Sequence, residues 1–131
     1  MLKNISRFVI IDDDPIVNSF CKMLINHVDE KIEVRTFMVP EKGFEFITSQ
    51  HSKDSKSVSI ILLDLNMPQM TGWEFLERFE EIDEEIKKQL QIYIHTSSFR
   101  EQDRKRAFTN KNVKDYIIKP ITEEIVKNII G

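Results

Sequence analysis

Ser59-Ile60-Ile61-Leu62-Leu63-Asp64-Leu65-Asn66-Met67-Pro68 is the stretch on which the fold turns. Four consecutive large apolar residues leave no polar face, so the run predicts a strand from Ser59 to Asp64 buried on both sides. Strands of that kind belong to parallel sheets with helices on both faces. Asp64 ends the run, which delivers a carboxylate to the tip of a buried strand, a costly position for a charge without partners.

The same design recurs on either side. Phe8-Val9-Ile10-Ile11 runs into Asp12 and Asp13, and Tyr116-Ile117-Ile118 runs into Lys119 and Pro120. Five strands are expected in all: Arg7 to Asp12, Ile32 to Phe37, Ser59 to Asp64, Gln91 to Thr96 and Lys114 to Lys119. The first, third and fourth are nearly continuous in apolar character and so central, whereas Ile32-Glu33-Val34-Arg35-Thr36 alternates like an edge strand. Segments of helical period separate them, giving an α/β fold with a doubly wound parallel sheet.

Asp14-Pro15 announces the first helix, an N-cap acceptor followed by proline at the first helical position. Ile16, Phe20, Leu24 and Val28, spaced by four, are expected to form its inner face. A second helix is expected from Pro40 to about Ser49 with Phe44 and Ile47 inward, and a third from near Gly72 with Leu76, Phe79 and Ile82 inward. The fourth, Gln102 to Asn110, is mostly charged and anchored by Ala107 and Phe108. The last starts at Thr122 and carries Ile125, Val126, Ile129 and Ile130 as an apolar stripe. The polar stretch 50–58 reads as a flexible surface loop.

With 131 residues, 40% of them hydrophobic, the chain suits a single domain, 1–131, with a core of its own and no expected output domain. Nineteen basic residues against 22 acidic ones give a net charge of -3, which supplies no electrostatic footprint for nucleic acid or an anionic membrane. Cys21 is the single cysteine, so disulfide frameworks and cysteine-based zinc sites are excluded and a cytoplasmic setting is expected. No apolar run is long enough to span a bilayer, and the N-terminus lacks the apolar region of a signal peptide.

In open parallel sheets, ligands gather beyond the carboxyl ends of the strands. Asp12, Asp13, Asp64, Thr96 and Lys119 all fall there. Three converging carboxylates repel one another, and hard oxygen donors that share a shell with phosphate point to Mg²⁺. Mg²⁺ and Lys119 together balance the three negative charges, so the site can accept an anionic phosphoryl group. Asp64 is the candidate nucleophile, able to attack phosphorus and form an acyl phosphate. Lys119 and the Thr96 hydroxyl would stabilise the transferred group electrostatically.

These motifs, Ile10-Ile11-Asp12-Asp13-Asp14-Pro15, Leu62-Leu63-Asp64-Leu65-Asn66-Met67-Pro68 with Gly72, His95-Thr96-Ser97-Ser98 and Tyr116-Ile117-Ile118-Lys119-Pro120, resemble the receiver domain of two-component response regulators, in order and over nearly the whole chain. The resemblance implies a flavodoxin-like five-stranded sheet in the order 2-1-3-4-5. It implies Asp64 as phosphoacceptor, supplied by a histidine kinase or a histidine phosphotransfer protein in a two-component system or phosphorelay. It also implies Mg²⁺ bound by Asp13, Asp64 and the backbone carbonyl of Asn66, with Asp12 assisting through water. Thr96 and Tyr116 would act as a switch, Lys119-Pro120 would be a cis peptide, and the readout surface would be the fourth helix, fifth strand and final helix, facing a downstream protein target.

Three features depart from the common pattern of that family: His95 where an aliphatic residue is usual, Thr71 where an acidic one is frequent, and a short final helix. His95, His27 and His51 show no metal spacing, and His95 reads as a hydrogen-bonded core residue. Asp14 reads as a cap rather than a ligand. Arg100, Arg104, Lys105 and Arg106 read as a solvated face that could also meet an acidic partner.

Rival functions are separable by residue. A Mg²⁺-dependent aspartyl phosphohydrolase of the haloacid-dehalogenase type places a second aspartate two positions after the nucleophile as general acid; Asn66 stands there instead. A signalling phosphoacceptor rather than an enzyme with its own substrate is therefore expected. A phosphorylation-independent pseudo-receiver scaffold would not need the full polar set, and a flavin-binding module would need a phosphate-cradling loop after the first strand that this sequence lacks.

Overall fold

A computed structural model describes residues 4–50 and 56–131. The expectation of a flexible loop over 50–58 lies largely outside them, as does His51. Five strands form one parallel sheet: β1 Ile5–Ile11, β2 Glu33–Phe37, β3 Val58–Leu63, β4 Leu90–Thr96 and β5 Val113–Ile118, in the order β2-β1-β3-β4-β5. β2 is the edge strand beside β1, and the fully apolar runs of β1 and β3 lie side by side in its interior. Each expected strand is present with boundaries moved by at most two residues.

Alternation along these strands builds two cores. Val9, Ile11, Ile61, Leu63, Ile92 and Ile94 face one side, where they meet α2 (Pro40–Ser49), α3 (Gly72–Glu80) and α5 (Glu101–Phe108) through Ile47, Phe75, Leu76, Phe79 and Ala107. Phe8, Ile10, Ile60, Leu62 and Ile117 face the other, against α1 (Pro15–Val28) and α6 (Glu123–Ile130) through Cys21, Ile25, Val126 and Ile129. Burial on both faces explains why the runs Phe8 to Ile11 of β1 and Ile60 to Leu63 of β3 contain no polar residue and why polarity appears only at their ends.

Four features differ from the sequence expectations. The inner face of α1 is Asn18, Cys21 and Ile25; Ile16 is 77% exposed and Phe20 37% exposed. A spacing of four drifts by about 40° per step on a 3.6-residue helix, so four such residues cannot share one buried stripe. Second, a single-turn helix, α4 (Glu84–Lys87), precedes β4; the Asp83 carboxylate caps it by accepting the Glu85 N–H at 2.9 Å. Third, Phe108 stays half-exposed at the end of α5, with the Arg104 guanidinium 5.3 Å from its ring centroid, and Ala107 alone is fully buried. Fourth, Ile82 lies beyond the end of α3 and is only partly buried, the inner face of that helix being Phe75, Leu76 and Phe79.

Candidate functional site at the carboxyl end of the sheet

The loops that follow β1 and β3 leave the sheet next to each other, because those strands are adjacent and their last residues, Ile11 and Leu63, are paired. The Asp64 N–H continues that ladder by donating to the Ile11 carbonyl at 3.1 Å, and the Asp12 N–H donates to the Phe37 carbonyl at 3.0 Å. Backbone pairing thus carries both aspartates just past the sheet. Asp12, Asp13 and Asp64 each bring one carboxylate oxygen within 4.8 Å of the others.

Asp12 is buried and its turn is held from two sides. Its Oδ1 accepts the Asp14 N–H at 2.9 Å, and its carbonyl accepts a hydrogen bond from the side-chain amide of Asn18, also at 2.9 Å. Asn18, buried in α1, was not singled out from the sequence, where a lone asparagine in a helix carries no signal of its target. Asp14 caps α1, accepting the Ile16 N–H at 2.9 Å, and so takes the bland role rather than a ligand's.

Lys119 reaches the cluster from the far side. Its Nζ lies 2.7 Å from Asp12 Oδ2 and 3.6 Å from Asp64 Oδ1. Burial of the ammonium opposes its charge, yet the carboxylates of Asp12 and Asp64 outweigh that cost and hold its pKa above the ordinary value. Asp64, 5% exposed, is pushed up to about 6, first by burial and then by the negative charge of Asp12; Lys119 and the Asn66 N–H pull the other way without prevailing. The carboxylates therefore outnumber the cation that serves them, which is the electrostatic mark of a site built to receive a further positive charge. Asn66 is exposed, two residues beyond Asp64.

Thr96, fully buried at the end of β4, joins this group through the main chain: its carbonyl accepts the Lys119 N–H at 2.8 Å. Its hydroxyl accepts the Ser98 N–H at 3.3 Å. Tyr116 is buried, and its phenol donates to the Ser98 carbonyl at 2.9 Å. Ser98 in turn donates to Asp103 at 2.6 Å, so the loop after β4 is tied both to β5 and to the start of α5. The Lys119-Pro120 peptide is cis.

His95 is 2% exposed, and its Nε2 accepts the Ile121 N–H at 3.2 Å. Burial pushes its pKa down to about 4, with Lys119 acting in the same direction. Thr71 caps α3 through a reciprocal capping box with Glu74, at 3.1 and 2.9 Å, a role legible in Thr71-Gly72-Trp73-Glu74 but passed over in the sequence. Cys21 is an inert structural thiol, driven up to about 12 by burial and by the Asp12 charge.

The family model for the response regulator receiver domain matches residues 8–130. A response regulator receiver protein from Dyadobacter fermentans superposes with a TM-score of 0.84 at 22% identity, covering 94% of this chain and 93% of that one. A two-component response regulator from Cytophaga hutchinsonii gives a TM-score of 0.83 at 25% identity, covering 97% and 94%. Among curated proteins, the two-component response regulator ORR1 of Oryza sativa subsp. japonica is 22% identical over 129 residues, 97% of this chain and 54% of the relative. The chain thus spans about half the length of that relative. A match over nearly its full length, on a sheet ordered 2-1-3-4-5 with its acidic cluster at the carboxyl edge, means that the chain belongs to the response regulator receiver domain family.

Proposed function

We propose that Asp64 accepts a phosphoryl group from the phosphohistidine of a histidine kinase or histidine phosphotransfer protein, and that the modification switches a protein-interaction surface. An Asp64 carboxylate oxygen attacks phosphorus and the phosphorus–nitrogen bond breaks; the donor imidazole, already protonated on its other ring nitrogen, keeps the electron pair of that bond and leaves neutral. The convergence of Asp12, Asp13 and Asp64 on one point beside Lys119 carries this reading. The donor set fits Mg²⁺: Asp13, Asp64 and the Asn66 carbonyl would hold it, with Asp12 assisting through water. When bound, Mg²⁺ would neutralise charge on the phosphoryl oxygens.

Lys119, whose Nζ lies 3.6 Å from Asp64 Oδ1, would pair with a phosphoryl oxygen of the acyl phosphate, and the Thr96 hydroxyl would donate to another. Tyr116 is already packed inward, so the switch consists of favouring this inward position over an outward one through the loop that Thr96, Ser98 and Tyr116 share. The surface that would read it contains Phe99, 80% exposed, and Ile118, with Arg104 between the rings of Phe108 and Tyr116. Exposed Ile16, Phe20 and Met23, on the helix that starts beside Asp13, supply an apolar approach for the phosphodonor. The chain would work in the cytoplasm as a signalling phosphoacceptor without a separate substrate; no described helix is long and apolar enough to cross a membrane.

The test is incubation with Mg²⁺ and acetyl phosphate followed by intact mass measurement. Wild type should gain one phosphoryl group, stable in acid and labile in base, and Asp64→Asn should gain none. Equal labelling of the two proteins, or no labelling of wild type, defeats the assignment.

A further inference from the structure

Where β5 ends, the chain must turn and begin α6 while presenting Lys119 to the carboxylates. The Lys119 N–H is satisfied by the Thr96 carbonyl. Pro120 has no N–H. The next donor, on Ile121, is buried, since Ile121 is 1% exposed, and a buried main-chain N–H without an acceptor is strongly unfavourable. Its acceptor is a side chain, the Nε2 of His95, at 3.2 Å. An aliphatic residue at position 95 could not provide one.

A cavity of about 230 Å³, lined by Ile16, Val17, Phe20, His95, Lys119 and Pro120, lies beside the turn on the α1 side, so packing against it is incomplete there although Ile121 itself is buried in the core. Two bonds from consecutive residues of β4 therefore fix it: the Thr96 carbonyl before the proline and the His95 imidazole after it. Acceptance at Nε2 places the ring proton on Nδ1 and requires a neutral ring, because an imidazolium has two donors and no acceptor. Burial beside the Lys119 ammonium keeps it neutral.

We infer that His95 is a positioning residue for the proposed phosphoryl transfer, its Nε2 fixing the Lys119–Ile121 turn so that the lysine ammonium stands against Asp12 and Asp64. The inference rests on the phosphoacceptor reading for its kinetic consequence, and on nothing but the hydrogen bond for its structural one. His95 touches no reacting atom; it acts through Lys119. Because it is the residue before Thr96, the same strand end that carries the switch hydroxyl also sets the lysine.

The experiment uses the full chain with His95→Leu, which removes the acceptor, and His95→Gln, whose amide oxygen can replace it. In His95→Leu the maximal rate of phosphoryl uptake from acetyl phosphate with Mg²⁺ should fall roughly ten- to a hundredfold. The acetyl phosphate concentration for half-maximal rate should stay unchanged, and His95→Gln should recover most of the rate. A folded His95→Leu with wild-type uptake, or a His95→Gln no better than His95→Leu, overturns the inference. Long-range nitrogen–proton spectra of the wild-type imidazole need no variant: they should show an unprotonated Nε2, with Ile121 slow in amide exchange, and an Nε2–H tautomer overturns the contact. If wild type takes up no phosphoryl group, the phosphoacceptor reading fails separately. The role of His95 in the turn then stands or falls on its tautomer and on the loss of Ile121 protection in His95→Leu and its return in His95→Gln.

Discussion

Lys119 is the residue on which the charge balance of the site depends. It is the cation paired with both Asp12 and Asp64, at 2.7 and 3.6 Å. Removing one partner of a buried ion pair leaves the other uncompensated, at a cost of about 3 kcal/mol. Lys119→Ala should therefore lower the urea midpoint of the metal-free protein while leaving the fold intact. Added Mg²⁺ should then raise the melting temperature of Lys119→Ala more than that of wild type, since the ion replaces a charge that the variant lacks. An equal Mg²⁺ effect in both proteins would mean that the lysine and the cation do not answer to the same carboxylates.

At the scale of elements, much of the architecture could be read from residue order. Runs such as Phe8 to Ile11 and Ile60 to Leu63 leave no alternative to two-sided burial, and the polar residues that end them mark the site without any knowledge of geometry. What could not be read was of two kinds. A four-residue helix such as α4 is shorter than any periodicity that could announce it, and on α1 a regular spacing by four winds around the helix, so it does not mark the buried face of Asn18, Cys21 and Ile25. The contacts of Asn18 and of His95 were illegible for another reason: each bonds a main-chain group 6 or 26 residues away, and a side chain's identity does not name its distant partner. The start of α3 supplies a prediction of its own. A Cβ at Gly72 would meet the Asp64 carbonyl oxygen at 2.6 Å and the Leu65 Cα at 2.8 Å, both backbone atoms that cannot swing aside. Gly72→Ala should cost about 1–3 kcal/mol in a melting or urea experiment. It should also slow phosphoryl uptake, because one displaced atom is the carbonyl oxygen of Asp64 and the other is the Cα of the next residue, Leu65; unchanged stability would show that the loop yields freely.

Across the whole molecule, His95 and Asp64 form a pair that no contact reveals. The folded state lowers the imidazole from an ordinary 6.5 to about 4, so the unfolded chain binds that proton first. Its contribution to stability is full above pH 6.5 and is lost as the pH falls towards 4. The folded state raises Asp64 from 3.8 to about 6, so here the native protein binds the proton first. That contribution is full below pH 3.8 and is lost as the pH rises through 6. The two windows overlap with opposite sign, each with a steepest slope of about 1.4 kcal/mol per pH unit. Compared with wild type in the presence of a chelator, Asp64→Asn should lose stability on acidification from pH 6.5 to 4, and His95→Gln should gain it over the same range. Parallel pH profiles for the three proteins in urea unfolding would refute the pairing. The metal-free molecule thus folds near pH 5 with almost no net proton exchange from these two groups, one proton accepted for one refused. Conversion of Asp64 to the proposed acyl phosphate would remove the accepting carboxylate from that exchange, so a phosphorylated form would show the acid sensitivity of His95 that the resting form conceals.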